Sequence, residues 1–556
     1  MQQLTGLDAA FLALETPSVY GHVGSISILD ISKVSEPFDL ARLTSLIESR
    51  LHLLPPFRRR LVTVPFGLDQ PYWIEDPCFD IEYHVREIAL PAPGTRAQLT
   101  EQAARLHARP LDRARPLWEA YLITGLEDGR AAVYTKVHHA AIDGISGNDL
   151  LAAVLDVSPE GRPPEAAAPP APEQPPSNVA LLARSVRSLA TQPVRGLRLA
   201  AEVARSVPAL IGNDVRPRLP IIDTLLRPDS RSVLTHAGLR APHTPFNAPV
   251  SPHRRWAVQE VSLDDIKRVK NAYGVTVNDV VMALSTGALR RWLTDHNALP
   301  ADPLVAAVPV SIRTKEQEGT LGNQVSMMLA PIPTNIDDPR ERLVDVHESM
   351  AVAKHQHGAL PASLLADVTQ VAMPAVAGQA MRLSARLRLV ERANPFNLII
   401  SNVPGGSGPY YYAGAKLESL FPLSAIADGQ GLNITVLGYG GKLHFGLIAC
   451  RKLVPDLDRL AGYLADELKL LVDLLPEQAG NQASEGRAAE PTSTGTGTGT
   501  GTGIGTGPKS APIPTPGSRP SCSPTPRWLR KPDSANFPQW STPRLGRVPG
   551  RGVDRT

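Results

Sequence analysis

The residues with the most legible chemistry are His138-His139-Ala140-Ala141-Ile142-Asp143-Gly144. A neutral imidazole in a cleft can act as a general base near physiological pH. An alcohol hydroxyl is a poor nucleophile because its pKa lies far above neutrality. A histidine within hydrogen-bond reach can take that proton as the oxygen attacks an electrophilic carbon, then return it to the leaving group. Such a route needs no covalent enzyme intermediate, and the chain has no GxSxG elbow to supply a serine nucleophile. Neighbouring side chains on a strand point to opposite faces. His138 and His139 therefore cannot easily chelate one ion together, and no metal site is expected. One histidine should face a cleft while the other is buried or hydrogen-bonded. Asp143 can orient a histidine as the third member of a triad or cap the helix that follows. Gly144 would let the chain turn or let a substrate approach closely.

These groups need a frame. The alternation of Ala131 to Val137 (AAVYTKV) predicts a strand that delivers the histidines. Asn148, Leu150, Leu151, Val154 and Leu155 then carry a helix-like spacing. The histidines thus fall where a strand ends and the chain turns. Asp39 is placed to cap a helix with the apolar stripe Leu40, Leu43, Ile47 and Leu51. DIEYHVREI (Asp80 to Ile88) and LWEAYLI (Leu117 to Ile123) read as strands. From Thr244 the chain reads as strand WAVQEVSL, a long helix NDVVMALSTGALRRWL and strand LVAAVPVSI. The strands QVSMMLAPI, NLIISNV, LNITVLGY and KLHFGLIAC follow, with a last helix at about Pro455 to Leu475.

Composition separates four parts: 1–158, a Pro/Ala-rich linker and basic helical stretch over 159–243, a second α/β part over 244–475, and a tail over 476–556. The tail holds a Thr-Gly alternation at 494–507 and ten basic against five acidic side chains. It cannot bury enough apolar surface to offset its chain entropy, so disorder is expected. With 556 residues the chain exceeds what one core normally holds. A net charge of +3 gives no reason to expect a nucleic-acid partner. Cys78, Cys450 and Cys522 are far apart and share no CxxC spacing, which fits a reducing cytosol. Neither a signal peptide nor a spanning helix is expected; the best apolar stretch, near Leu364 to Leu383, is broken by Asp367, Pro374 and Arg382.

The series LTGLDAAFLALETP (Leu4 to Pro17), PPFRRRL (Pro55 to Leu61), PLDRARPLWE (Pro110 to Glu119), HHAAIDG, TPFNAPVSPHRRWA, VNDVVMA, VPVSIR, GNQVSMM and NLIISNVPGG (Asn397 to Gly406) resembles the bacterial wax ester synthase/diacylglycerol acyltransferase family. HHxxxDG alone is similar to a whole superfamily that includes chloramphenicol acetyltransferase, carnitine acyltransferases and peptide-synthetase condensation domains. The ordered series, over about Leu4 to Leu475, narrows it to the family.

The resemblance implies an α/β fold of two chloramphenicol-acetyltransferase-like halves, a pseudo-dimer with a tunnel between them. It implies transfer of a long-chain acyl group from acyl-CoA to diacylglycerol, giving triacylglycerol, or to a fatty alcohol, giving wax ester. It makes His139 the general base, with His138 in support, and turns Asp143 away from the cleft to pair with an arginine, for which Arg58 is favoured over Arg59 and Arg60. It implies no cofactor beyond acyl-CoA as substrate. It places Asn278 near the site as a candidate oxyanion donor with Asp279 structural, although an ordinary helix start reads equally well from the residues. Asn402 and Gly405 in SNVPGG would frame the tunnel, or form a plain Gly-Pro turn.

A cytoplasmic enzyme acting on insoluble acceptors should associate peripherally with a membrane or lipid inclusion. Arg184, Arg187, Arg195, Arg198 and Arg205 between Leu181 and Gly212 are the expected contact, against a packed helix as the plainer reading. Two rival functions are a carrier-protein-dependent acyltransferase acting on a complex lipid or polyketide hydroxyl, and an inactive lipid-inclusion surface protein.

Overall fold

In the computed structural model, the described residues are 1–142, 153–162, 176–185, 241–311, 325–358, 395–403, 405–406 and 408–475. Asp143, Gly144, most of the Arg-rich stretch and the whole tail lie outside them.

Two six-stranded sheets form the body. The first contains β2 (His22–Asp30), β5 (Val85–Ala89), β6 (Trp118–Thr124), β7 (Ala131–His138), β12 (Tyr411–Tyr412) and β13 (Ala415–Leu423), in the order β12-β13-β2-β7-β6-β5. The second contains β8 (Arg254–Ser262), β9 (Leu304–Ser311), β10 (Val325–Ile332), β11 (Leu398–Val403), β14 (Leu432–Tyr439) and β15 (Lys442–Cys450), in the order β10-β9-β11-β14-β15-β8. A small sheet joins β1 (Gln2–Gln3), β4 (Tyr72–Glu75) and β3 (Arg59–Val62).

The first sheet is completed from the far part of the chain. β13 pairs antiparallel with β2, Phe421 opposite Ile26. The two sheets therefore do not divide at one point in the sequence. Composition has no signal for this, because a strand of either sheet shows the same alternation.

The helices follow their residues. α1 (Gly6–Leu14) is capped by Thr5, whose Oγ1 accepts the Asp8 N–H. α2 (Leu40–Arg50) is capped by Asp39 and buries Leu43, Leu46 and Ile47. The Asp80 to Ile88 segment differs from the strand expected of it. Asp80 caps a single helical turn, α3 (Ile81–His84), and the strand begins only at Val85. The cap competes with the ladder there, and His84, stacked on Trp118 at 4.5 Å, anchors the turn.

α4 (Arg96–His107) covers the first sheet. α5 (Leu263–Tyr273), α6 (Val277–Asp295), α7 (Pro339–Gly358) and α8 (Leu457–Asp473) accompany the second. The α6 interior, from Val280 to Leu284, is buried all round and belongs to that half's core, as expected of a helix without a polar face. A third core joins the halves: Ile26, Leu99, Ala103 and Tyr134 pack with Trp256, Phe421 and Ile448. Among the described residues no helix is long and apolar enough to cross a membrane.

Candidate active site

β7 ends at His138, and His139 opens a single 3-10 turn (His139–Ile142). The change of backbone geometry puts the two imidazoles in different surroundings. His138 is buried, with 1% exposure, while His139 is partly exposed. His138 Nδ1 accepts the Ala140 N–H at 3.1 Å, so its proton sits on Nε2 and is donated to Glu15 Oε1, also at 3.1 Å. That pair of bonds fixes the tautomer and ties the start of the turn to the preceding side chain.

Glu15 is the hub. It accepts the Gly21 N–H at 2.8 Å and an Arg113 N–H at 2.7 Å. Burial pushes its carboxyl up, but hydrogen bonding and attraction from His138, with Gly21 and Arg113, outweigh this and lower it to about 2. Gly21 in turn accepts the His139 backbone N–H at 2.7 Å. A side chain at Gly21 would put its Cβ 2.8 Å from His138 Nε2, so only glycine lets the loop approach the imidazole. The His139 ring stacks on Phe11 of α1, with centroids 4.0 Å apart and planes 19° from parallel. Phe11 thus sets the ring plane, and the Glu15–Gly21 loop sets the backbone that carries it.

The loop between α1 and β2 is held from both halves. Thr16 Oγ1 accepts the Ser18 and Val19 N–H groups, and the Tyr20 hydroxyl donates to Pro17 O at 2.8 Å. Arg254, on β8 of the second sheet, donates to Ser18 O at 2.6 Å and lies over the Tyr20 ring.

A buried polar layer lies behind the histidines. His22, opposite His138 in the ladder, donates Nε2–H to His107 O at 2.5 Å. His107 Nε2 donates to Ser424 O at 3.0 Å, so its Nδ1 accepts the Tyr134 hydroxyl. Burial, with Lys136 nearby, lowers His107 to about 3, and burial also holds His22 well below its ordinary value. Lys136, fully buried, donates to Glu119 at 2.9 Å and to the carbonyls of Leu106 and Arg109. Every donor of this lysine is placed, which is the condition for burying it.

Asn278 and Asn402 are brought together. Thr276, not Asn278, is the N-cap of α6, and Asp279 closes the capping box by accepting the Thr276 N–H at 2.9 Å. The buried Asp279 also binds His347 at 2.7 Å. It is a helix anchor. Asn278, released from capping, accepts an Asn402 amide N–H through Oδ1 at 3.3 Å. Gly405 follows β11 where a Cβ would lie 1.5 Å from Gly438 O, so the backbone crossing there admits no side chain. Arg58, the expected partner of Asp143, lies 3.8 Å from Glu75. A cleft of about 480 Å³ between the sheets, lined by Arg96, Arg130, Glu260, Lys416 and Lys442, does not include the histidines.

Other shared segments do structural work. Trp118 of PLWE donates to Phe57 O at 2.8 Å and stacks on Phe57 of PPFRRRL at 4.9 Å. Asn247 and Asn397 bond to each other, and Asn397 also accepts the Val305 N–H of β9.

Sequence reasoning missed Glu15, Gly21, Phe11 and Arg254. The segments of Phe11, Glu15 and Arg254 carry the family resemblance and Gly21 lies just beyond the first of them, but nothing in their spacing ties them to His138 more than a hundred positions away.

The two-sheet α/β body presents a histidine at the end of a central strand. Residues 4–281 match the wax ester synthase/diacylglycerol acyltransferase catalytic domain, and residues 321–472 match the C-terminal domain of the same group. A Mycobacterium tuberculosis protein named as a diacylglycerol O-acyltransferase is 37% identical, over 86% of this chain and 91% of its own. The O-acyltransferase WSD of Acinetobacter baylyi is 33% identical over 86% of this chain and 98% of its own. The solved wax ester synthase/diacylglycerol acyltransferase of Marinobacter aquaeolei superposes with a TM-score of 0.60 at 31% identity, over 85% of this chain and all of that one. The chain belongs to the wax ester synthase/diacylglycerol acyltransferase family, and it is an O-acyltransferase of lipid biosynthesis.

Proposed function

We propose that the protein moves a long-chain acyl group from acyl-CoA to the free hydroxyl of diacylglycerol, and to long-chain alcohols, with His139 as general base. The observation that carries this is the locked presentation of His139. Its backbone N–H is held by Gly21, its ring by Phe11, and its turn by the His138–Glu15 pair.

His139 removes the acceptor O–H proton as that oxygen bonds to the thioester carbonyl carbon. The tetrahedral oxyanion collapses, the C–S bond breaks, and the CoA thiolate takes the proton back from the imidazolium. The products are an ester and free CoA. Asn278, whose Oδ1 is engaged by Asn402, has its NH2 group directed elsewhere and is assigned as an oxyanion donor. Asn402 and Gly405 shape the neighbouring wall, and Asp279 holds the helix that carries Asn278. Asp143 and Gly144 are assigned to the turn after the base, Asp143 as an anchor paired with an arginine. CoA enters only as part of the donor. The enzyme works at a membrane or lipid-inclusion surface, because its acceptors are insoluble.

The test is purified full-length protein with labelled oleoyl-CoA and a panel of diacylglycerols and alcohols, with products identified. Triacylglycerol or wax ester formation is expected. Turnover only with a carrier-protein thioester, or none with any donor, refutes the assignment.

A further inference from the structure

The tip of the β3–β4 hairpin holds an aromatic side chain out in solvent. Phe66 is 86% exposed, and its φ is +60°. A bulky residue in the left-handed region is an outlier, and such strain persists only when something else requires it. Among the described residues Phe66 gains little packing in return: the loop's apolar anchoring comes from Val64 and Tyr72, which close over Leu181. Gly67 follows at φ +63°, so two successive residues turn the tip outward.

The adjoining helical residues 178–185 bury Leu181 and Ser185 inward and leave Val179 76% exposed. Arg184 is exposed on the same short stretch, with one guanidinium nitrogen 3.6 Å from Met1 Sδ. Phe66, Val179 and Arg184 therefore ring one small sheet. That sheet is coupled to the candidate active site. β1 pairs with β4, Gln2 opposite Trp73, and only Leu4 and Thr5 separate β1 from α1, which carries Phe11.

We propose that the Phe66 tip is an interfacial anchor that seats the enzyme on a lipid surface, with Arg184 facing lipid phosphates. This rests on the proposed use of insoluble acceptors. A stable protein partner needs about 800 Å² of contact on each side, with a packed apolar centre. Two separated apolar side chains beside a cation do not supply that. They match the pattern of a bilayer interface, where an aromatic ring sits at headgroup depth and a basic group meets phosphate.

The experiment uses the whole chain and flotation with phosphatidylcholine vesicles containing phosphatidylglycerol and diacylglycerol. Phe66→Gly relieves the backbone and removes only the ring. Its Tm should be unchanged or higher, its vesicle affinity about tenfold lower, and Phe66→Trp should restore binding. Arg184→Glu should weaken binding further and flatten its salt dependence. Turnover of acyl-CoA with a short soluble alcohol should match wild type in all three.

A folded Phe66→Gly variant that floats like wild type overturns the anchor. So does loss of a homo-oligomer by light scattering with flotation unchanged, since the tip would then be a subunit contact. Lowered flotation in a protein that esterifies no acceptor would leave the anchor standing and refute the functional reading instead.

Discussion

Removing the Glu15 carboxylate should undo the turn that presents His139. Its side chain is 15% exposed and receives charge-assisted bonds from His138 and Arg113 and a backbone bond from Gly21. Lowering its pKa from 4.5 to about 2 corresponds to about 3 kcal/mol favouring the folded carboxylate. Because the folded value is depressed, that stability is present above pH ~4.5 and is lost as pH falls toward ~2. Glu15→Ala leaves the buried His138 Nε2–H without its acceptor and frees the tautomer. Nδ1 can then carry the proton, and the Ala140 N–H loses its partner.

The expected cost at neutral pH is about 3 kcal/mol, a fall in Tm of about 4 °C for a body of this size. Acyl transfer should drop about 10²-fold, because a misplacement on the order of 1 Å at the base is enough. Glu15→Gln keeps an oxygen acceptor for His138 and Gly21 and loses mainly the Arg113 ion pair, so its turnover should fall less than about tenfold. The assay is initial-rate ester formation from labelled acyl-CoA, beside calorimetric Tm for the same preparations. If Glu15→Ala is as stable as wild type and turns over within a few-fold of it, the network does not hold the base and the reasoning fails.

Three further outcomes are expected. His139→Ala should lose about 10²-fold or more in kcat with little change in Tm, whereas His138→Ala should lower Tm and kcat together, as Glu15→Ala does; activity loss without destabilisation in both would give the two imidazoles the same role. Asn278→Ala and Asn402→Ala should each reduce kcat, and their double-mutant cycle should show coupling of about 0.5–1.5 kcal/mol; strict additivity would separate them. His107 is held near 3 in the fold, so as pH falls below ~6.5 the unfolded chain binds a proton the folded one cannot, and stability declines toward pH 3. Tm measured from pH 7 to about 4 should therefore fall less steeply in His107→Gln, and parallel curves would refute this account.

The elements nearest the chemistry were legible because they depend on local rules. A strand ending at a histidine pair, a helix capped by Asp39 and a long buried helix after VNDVV each follow from periodicity or a cap within a few residues. Among the described residues Asp80 to Ile88 was misread, and for the same reason: a local cap and an alternating pattern compete, and only packing on Trp118 chooses between them. By itself the chain determined the family, the acyl-transfer class and the identity of the histidine pair. It also placed Asn278 on the first turn of its helix, although the cap fell two residues earlier, on Thr276.

Tertiary structure decided everything that depends on who meets whom. It decided that β13 completes the first sheet, that Arg254 of one half grips the loop of the other, and that Glu15 is the partner of His138. It likewise decided that Asn278 is free of its capping duty and meets Asn402. These pairings span from 123 positions, between Glu15 and His138, to the 395 positions (421 − 26) between Ile26 and Phe421. Local backbone preference carries no information at that range. The meetings arise only when three cores close together and each buried polar group must find its partner in the space that remains.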